Sequence, residues 1–180
     1  MSPSPSEPTP IFRAEDIARR VEALAREIDG GEGWRARGVR PVLVCLLRGA
    51  FVFTADLVRA LERAGAGADV DFLHLSSYGV SRVPERPVAL IADLTSDIGG
   101  REVLILDDIL DTGASLAFAR AHCAARGAAR VRTAVLLDKQ RQSVPRADYC
   151  GFPCPDRFVV GYGMDLAGTW RGLAYIGAVD

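Results

Sequence analysis

The sequence predicts an α/β protein with a central, mainly parallel β-sheet that helices cover on both faces. Short runs made almost wholly of apolar residues recur along the chain, and stretches with helical spacing separate them. Strands that are apolar on both faces are typical of parallel sheets, because helices bury both sides of such sheets. Alternating strands and helices are the pattern of doubly wound α/β folds, in which ligands bind beyond the carboxyl ends of the strands.

Length and composition predict one folded domain. The chain has 180 residues, of which 49% are hydrophobic, and this is enough for one domain with a substantial core and short for two. The Ser- and Pro-rich residues 1–10 predict a disordered tail that ends near Ile11. Residues 11–180 are then the single domain.

The charge balance and the apolar runs argue against several kinds of partner. A net charge of -1 gives no general attraction to nucleic acid or to an anionic membrane. The sequence has neither a run of the roughly 20 apolar residues that a spanning helix needs nor the features of a signal peptide. Its four cysteines are scattered, without the further ligands of a zinc site. We expect a soluble cytoplasmic protein with free thiols and no nucleic-acid or membrane partner.

The first part of the chain supplies a helix, a strand and a second helix. Apolar residues recur at helical spacing in segment 13–31 and predict an amphipathic helix that ends at Gly30 and Gly31. Segment 41–47 is almost wholly apolar and predicts a buried strand. Segment 48–67 has helical spacing and a glycine-rich end, so we expect a helix there.

The middle of the chain predicts further strands. Segment 68–79 reads as a strand that leads into a polar stretch ending near Arg86. Segment 88–108 predicts a pair of strands turned at a Gly-Gly dipeptide, and the second strand is the apolar run 103–107. The alternating apolar residues expected to define the 68–79 strand are Val70, Phe72, Leu73 and Leu75.

The last part of the chain predicts one helix and two more strands. Residues 114–129 are rich in helix formers, and residues 130–139 and 157–163 are apolar strand patterns. The candidate ligand contacts are the polar residues that follow the strands. They are Arg48–Gly49, Ser77–Tyr78, residues 107–115, Asp138–Lys139 and the region after Val160.

One apolar strand ends by delivering three carboxylates to one place. Asp107 and Asp108 follow the run VLIL directly, and Asp111 comes three residues after Asp108. Carboxylates that lie close repel one another, and their burial is costly unless a cation, a donor or a ligand lies among them. One acid near a helix start is an ordinary cap, but this explanation does not account for three.

The turn after these acids has the composition of a phosphate cradle. Gly113 permits a tight turn, Thr112 and Ser115 supply hydroxyls, and a helix starting near Ala114 points its free amides at the loop. The carboxylates would repel phosphate, so we expect them to hold sugar hydroxyls or Mg²⁺. A response-regulator receiver domain also has a strand that ends in two acids, but there that strand lies near the amino terminus and no such cradle is needed.

Several segments together resemble a known family. The run DDILDTGAS resembles the phosphoribosyl pyrophosphate signature of the type I phosphoribosyltransferases. The segments LLRGAFVFTADLVRAL, SSYG, VLLDK and FVVGYGMDLAGTWRGLAYIG occur in the order seen in hypoxanthine-guanine phosphoribosyltransferases. The resemblance covers about residues 12–180. It implies the type I fold, with a small hood and a mobile active-site loop, and a purine salvage enzyme that makes IMP or GMP from phosphoribosyl pyrophosphate and hypoxanthine or guanine.

The resemblance also assigns roles around the donor. Asp107 and Asp108 would bind the ribose hydroxyls directly or through Mg²⁺, and Asp111 would be the acid/base beside purine N7. The family commonly has Glu at the first acidic position, so Asp107 is one methylene shorter. The residues expected to wrap the 5'-phosphate are Asp111, Thr112, Gly113, Ala114 and Ser115.

A second loop and the lid are expected to hold pyrophosphate. The family usually has Lys where this chain has Arg48, and the two cations do not bind alike. In relatives the peptide bond that enters this position can be cis. The lid, which begins at Ser77, looks shorter than in many relatives. The implied pyrophosphate contacts are Arg48, Gly49, Ser77, Tyr78 and Arg171.

The base and the metal complete the implied site. Phe158 would stack on the purine, the Val159 backbone would meet its exocyclic edge, and Lys139 would recognise its carbonyl oxygen. Without the resemblance, Phe158 reads as core and Lys139 as a solvated cation. The implied Mg²⁺ ligands are Asp107, Asp108 and Asp165. Because relatives are dimers or tetramers, we expect a homodimer or homotetramer.

Two other functions stay open at this point. Domains of the same fold act as regulators that sense nucleotide or donor without turnover, although the retention of Asp111, Lys139, Asp165 and Arg171 favours catalysis. A transferase of the same fold could prefer xanthine. The expected base contacts argue more firmly against adenine and pyrimidines.

Overall fold

The computed structural model describes residues 7–30, 33–76 and 88–179. The helices are α1 (Ala14–Ile28), α2 (Trp34–Arg37), α3 (Phe51–Arg63) and α4 (Ala114–Ala125). The strands are β1 (Thr9–Phe12), β2 (Val42–Leu47), β3 (Asp69–Ser76), β4 (Ala89–Ala92), β5 (Glu102–Leu110), β6 (Arg130–Asp138), β7 (Tyr149–Pro153), β8 (Phe158–Val160) and β9 (Ile176–Val179). The expected lid contacts Ser77 and Tyr78 lie outside the described residues.

The larger sheet is mainly parallel, as predicted. It has six strands in the order β4-β3-β2-β5-β6-β7. All its neighbours pair in parallel except β4, which joins the edge antiparallel to β3. The chain moves outward from β2 to β3 on one side and from β5 to β7 on the other. The carboxyl ends of β2 and β5 therefore flank the switch point at which ligands bind in such sheets.

Two buried layers explain why the central strands are apolar throughout. Leu43 and Leu104 pack with α1 and α3 on one face of the sheet. Their neighbours Val44 and Ile105 pack with α4 on the other face. Successive residues of β2 and β5 thus enter opposite cores, and both need apolar side chains.

A smaller antiparallel sheet, in the order β1-β9-β8, lies beside the main one and corresponds to the hood that the resemblance implied. Segment 157–163 was expected to add to the parallel sheet, but β8 belongs to this second sheet. Strand β1 begins at Thr9, so the last two residues of the predicted tail are paired rather than disordered. Residues 1–6 lie outside the described residues.

The predicted pair of strands within segment 88–108 is wrong. β4 pairs with β3, and β5 lies between β2 and β6. A strand that is buried on both faces and on both edges cannot be half of an isolated ribbon. In β3, Leu73 and Leu75 are buried as expected, whereas Val70 and Phe72 are 37% and 47% exposed because they face the side of the sheet that α3 leaves uncovered at this edge.

The cysteine prediction is confirmed, since Cys45, Cys123, Cys150 and Cys154 are all free. Burial raises the pKa of the Cys45 and Cys123 thiols to about 11. These two thiols are therefore protonated and unreactive near neutral pH. None of the described helices is both long enough and apolar enough to cross a membrane.

Candidate active site

A cavity of about 750 Å³ opens at the carboxyl ends of the central strands. It is lined by the carboxyl-terminal parts of β2, β3 and β5, by residues of β4 and β8, and by the segments that follow β2, β5, β6 and β8. Every predicted site residue that the structure describes lines it, namely Arg48, Gly49, Asp107, Asp108, Asp111, Thr112, Gly113, Ala114, Ser115, Lys139, Phe158, Val159, Asp165 and Arg171. Lining residues that the sequence did not indicate include Leu46, Leu47, His74 and Ile91.

Asp107 and Asp108 both lie inside strand β5, because β5 runs to Leu110 and extends past the expected end of the strand at residue 107. Pairing of β5 with β2 stops at Leu106, whereas pairing with β6 continues to Leu110. The two acids therefore sit where β5 extends past β2 and forms one wall of the cavity. The loop after β2 approaches them closely, because a Cβ atom on Gly49 would lie 1.7 Å from Asp108 Oδ2. A side chain at position 49 would therefore displace the Asp108 carboxylate.

The carboxylate pair is electrostatically strained. Burial raises the pKa of Asp107 well above its usual range, and the adjacent Asp108 raises it further. Burial also raises the pKa of Asp108, and the field of the Arg171 guanidinium does not offset it. Backbone amides of Asp108 and Ile109 donate to the pair at 3.0 Å each. A cation among these oxygens would relieve the repulsion.

The residues fit a divalent cation that brings most of its own ligands. Carboxylate oxygens are the ligands that Mg²⁺ prefers, and Mg²⁺ usually keeps waters and substrate phosphates in its shell. Among the residues that the structure describes, no three or more candidate side chains converge on one metal position. Asp107, Asp108 and Asp165 line the same cavity and would each supply one part of such a shell.

The start of α4 forms the expected anion cradle. Gly113 has a φ of +77°, a left-handed conformation that favours glycine. The first bond of the helix runs from the Ala117 amide to the Gly113 carbonyl at 2.9 Å. The amides of residues 114–116 therefore have no acceptor within the helix, and these residues line the cavity. Such amides bind phosphate oxygens.

Asp111 is held by two cations. Lys139 Nζ donates to Asp111 Oδ2 at 3.1 Å, and Arg141 Nε donates to Oδ1 at 2.5 Å. Burial raises the pKa of Asp111, but the hydrogen bonds from Lys139 and Arg141 outweigh burial, and the net pKa is lowered. Asp111 is therefore ionised at neutral pH and can accept a proton.

Lys139 and Phe158 lie at the end of the cavity next to Asp111. Lys139 follows β6, its side chain is 11% exposed, and it is the only lysine in the chain. Phe158 begins β8, is 44% exposed and lines the cavity, so its ring is accessible to a ligand there. Val159 packs in the core and also lines the cavity.

The remaining charged residues of the cavity lie on the loops after β2 and β8. Arg48 follows β2 and is exposed, and the Leu47–Arg48 peptide bond is cis. Arg171 forms an ion pair with Asp165 and donates to the Gly163 carbonyl. Asp165 Oδ2 accepts from the Gly168 amide at 2.7 Å. The loop after β8 thus presents one cation and one anion side by side.

Two further contacts were not predicted. Arg141 joins Asp111 to Asp156, with Nη2 at 2.9 Å from Asp156 Oδ1. The only indication of this contact in the sequence is that Arg141 follows Lys139 by two residues. Tyr162 OH donates to Asp56 Oδ2 at 2.6 Å and ties the loop after β8 to α3.

This combination of a doubly wound sheet, a phosphate cradle and a carboxylate pair defines a phosphoribosyltransferase domain. Residues 9–166 match the phosphoribosyl transferase domain family. Over 173 residues the chain is 40% identical to the hypoxanthine-guanine phosphoribosyltransferase of Aquifex aeolicus (strain VF5), covering 94% of this chain and 93% of that protein. The chain belongs to the hypoxanthine-guanine phosphoribosyltransferase family.

Other relatives support the same family assignment. The hypoxanthine-guanine phosphoribosyltransferase of Bacillus subtilis (strain 168) is 36% identical over 171 residues, covering 94% of this chain and 91% of that protein. The crystal structure of the hypoxanthine phosphoribosyltransferase of Trypanosoma cruzi superposes with a TM-score of 0.84, at 33% identity and 95% coverage of each chain. The protein is therefore an enzyme of the glycosyltransferase class, and these relatives do not support the non-catalytic sensor.

Proposed function

We propose that the enzyme transfers the 5-phosphoribosyl group from phosphoribosyl pyrophosphate to N9 of hypoxanthine or guanine in purine salvage. The products are IMP or GMP and pyrophosphate. The observation that carries this proposal is the position of Asp111, which lies in one cavity between the anion cradle of α4 and the ammonium of Lys139. An acid/base, a phosphate site and a donor to a base carbonyl are thereby brought together.

In the proposed step, purine N9 bonds to ribose C1 as the bond from C1 to the pyrophosphate oxygen breaks. Pyrophosphate leaves with that electron pair. The proton on purine N7 passes to the Asp111 carboxylate, which Lys139 and Arg141 keep ionised before the base binds. Positive charge develops on the ribose ring in the transition state, and the carboxylates of Asp107 and Asp108 stabilise it.

The donor is held at two places in this proposal. The amides and hydroxyls of residues 111–115 bind its 5'-phosphate. The loop after β2 and the loop after β8 bind its pyrophosphate, together with the start of the lid. The pyrophosphate contacts are Arg48, Gly49, Ser77, Tyr78 and Arg171.

Magnesium is the cofactor in this proposal. Asp107 and Asp108 would hold it on the ribose side and Asp165 on the pyrophosphate side. When bound, Mg²⁺ supplies positive charge that stabilises the departing pyrophosphate. The close burial of the pair supports this: burial and the adjacent Asp108 raise the pKa of Asp107, and a bound cation would favour the ionised form of both carboxylates.

We also propose a cytoplasmic homodimer or homotetramer. Four free thiols suit a reducing compartment. Phe51, Val70 and Phe72 expose apolar surface on the neighbouring elements α3 and β3, and such surface commonly marks an interface. Sedimentation should give a mass of two or four chains; a monomer at micromolar concentration would contradict this proposal.

An assay with five bases tests the reaction. Donor, Mg²⁺ and one of hypoxanthine, guanine, xanthine, adenine or uracil are mixed with the enzyme, and absorbance is followed. We expect turnover with hypoxanthine and guanine and little with adenine or uracil. Xanthine as the best substrate would establish the alternative transferase, and donor binding without turnover of any base would establish a sensor.

Replacement of Lys139 by Gln tests the choice of base. Hypoxanthine and guanine carry a carbonyl oxygen at position 6, whereas adenine carries an amino group, and an ammonium has donors only. An unmatched polar contact costs about 1–3 kcal/mol, or roughly 5- to 150-fold. Because Gln can turn either its oxygen or its nitrogen to the base, Lys139→Gln should weaken oxopurine use and narrow the preference over adenine.

The control for this measurement is Arg130→Gln, which removes an exposed cation at the other end of β6. Arg130→Gln should leave the ratio of kcat/KM for hypoxanthine and adenine as it is in the native enzyme. If Lys139→Gln also leaves that ratio unaltered, Lys139 does not recognise the base.

A further inference from the structure

Arg141 contacts the site through its guanidinium fork although no role in binding donor or base falls to it. Its Nε donates to Asp111 Oδ1 at 2.5 Å, and its Nη2 donates to Asp156 Oδ1 at 2.9 Å. The side chain is 41% exposed, so it is not part of the core. An arginine fork holds two acceptors in fixed directions, which a flexible ammonium does not. Arg141 thus fixes one oxygen of Asp111 relative to Asp156.

The two oxygens of Asp111 have different partners. Oδ1 is held by Arg141, and Oδ2 is held by Lys139 at 3.1 Å. With both oxygens engaged, Asp111 has no oxygen directed only to the purine. The ammonium of Lys139 can leave Oδ2, since in the proposed function it turns to the purine carbonyl. The Arg141 bond has no such competing ligand.

We propose that Arg141 is a positioning residue, which holds Asp111 by Oδ1 so that Oδ2 faces purine N7 once Lys139 turns to the base. The inference rests on the proposed function and adds a residue to it. Asp156 completes this arrangement, because it accepts a hydrogen bond from the other side of the Arg141 guanidinium. It also lies 3.5 Å from Lys139 Nζ.

The charges around Asp111 fix the expected pH dependence. The described groups that face it are Lys139 and Arg141 as cations, Asp156 as an anion and the Cys154 thiol, whose pKa is raised by burial. Arg141→Gln removes one of the two cations, so the pKa of Asp111 rises toward its ordinary value. An opposite charge at this distance lowers a carboxyl pKa by about 1–3 units. The low-pH limb of activity should therefore move up by roughly one unit.

The kinetic test compares three variants across pH. Arg141→Gln should lower kcat, raise the low-pH limb and leave the donor KM unchanged. Arg141→Lys keeps the positive charge but loses the guanidinium fork. It should therefore return the low-pH limb of activity to its native position and restore only part of kcat. Arg146→Gln is the matched control, because Arg146 lies on the same loop but binds Asp138 at 2.9 Å. A native pH profile in Arg141→Gln, or an equal shift in Arg146→Gln, would overturn the proposal.

A measurement without turnover separates this inference from the proposed reaction. Because Lys139 is the only lysine, isotope-labelled lysine gives one side-chain NMR signal, and that signal should titrate with Asp111. Asp156→Asn removes the other acid beside Lys139, so the midpoint of the titration in this variant can be assigned to Asp111. The midpoint should rise by roughly one unit on Arg141→Gln in this background. An unmoved midpoint refutes the role of Arg141, whereas absence of turnover in the native enzyme refutes only the reaction.

Discussion

Replacement of Asp111 by Asn is expected to lower kcat by about 10²–10⁴-fold, the usual contribution of general acid/base catalysis. Asparagine keeps the size of the side chain, but its amide cannot accept the purine proton and can accept a hydrogen bond from only one of Lys139 and Arg141. The native carboxylate is ionised, because hydrogen bonds from Lys139 and Arg141 outweigh burial and lower its pKa. Its loss therefore removes an acceptor that is present throughout the neutral range.

The donor KM separates this role from a structural one. In the proposed function the amides at the start of α4 hold the phosphate, and Asp111→Asn leaves these amides in place, so the donor KM should change little. Asp97→Asn is a matched control, since Asp97 is exposed and lies away from the cavity, and it should keep native kcat. Native kcat in Asp111→Asn would show that Asp111 only shapes the loop.

The pH dependence of activity should follow the lowered pKa of Asp111. A carboxyl with a lowered pKa stays ionised at pH values where a free aspartate is already protonated. Turnover should therefore persist below the usual aspartate range and fall only as pH passes through the lowered pKa. In Asp111→Asn this low-pH limb should be absent from the residual activity.

The sequence was sufficient where the functional residues are contiguous. Asp107, Asp108 and Asp111 and the turn at Gly113 share one short segment, so the order of residue types alone predicted a carboxylate cluster beside an anion cradle. The apolar segments of β2 and β5 predicted strands buried on both faces for the same reason. Each strand carries its burial pattern in its own residues.

Pairing between distant segments was harder to predict. The apolar run in β5 gave no indication that its neighbours would be β2 and β6 rather than β4, because a strand pattern does not specify its partner. Val70 and Phe72 have the alternation of buried residues, yet they are exposed at the edge that α3 does not reach. Arg141 was missed because an arginine in a polar loop is ordinary until its contact with Asp111 is seen.

Removal of Mg²⁺ is the second change with a large expected effect. A metal on a departing pyrophosphate is worth several kcal/mol, and each 1.36 kcal/mol is a factor of ten, so turnover should fall by roughly 10²-fold or more in excess chelator. We expect Arg48 and Arg171 not to replace the metal, because two cations cannot neutralise pyrophosphate beside Asp107, Asp108 and Asp165, and Arg171 is already paired with Asp165. Excess Mg²⁺ should restore the native rate.

The fall in turnover on removal of Mg²⁺ should be the same whichever purine base is used. Under the proposed assignment the metal acts on the donor through Asp107, Asp108 and Asp165, whereas Lys139 acts on the purine. Chelation should therefore lower the rates with hypoxanthine and with guanine by the same factor, and leave the preference over adenine in the residual activity unchanged. A loss confined to one base would place the metal at the purine instead. Turnover that continues unchanged in chelator would remove the metal role from all three aspartates while leaving the role of Asp111 intact.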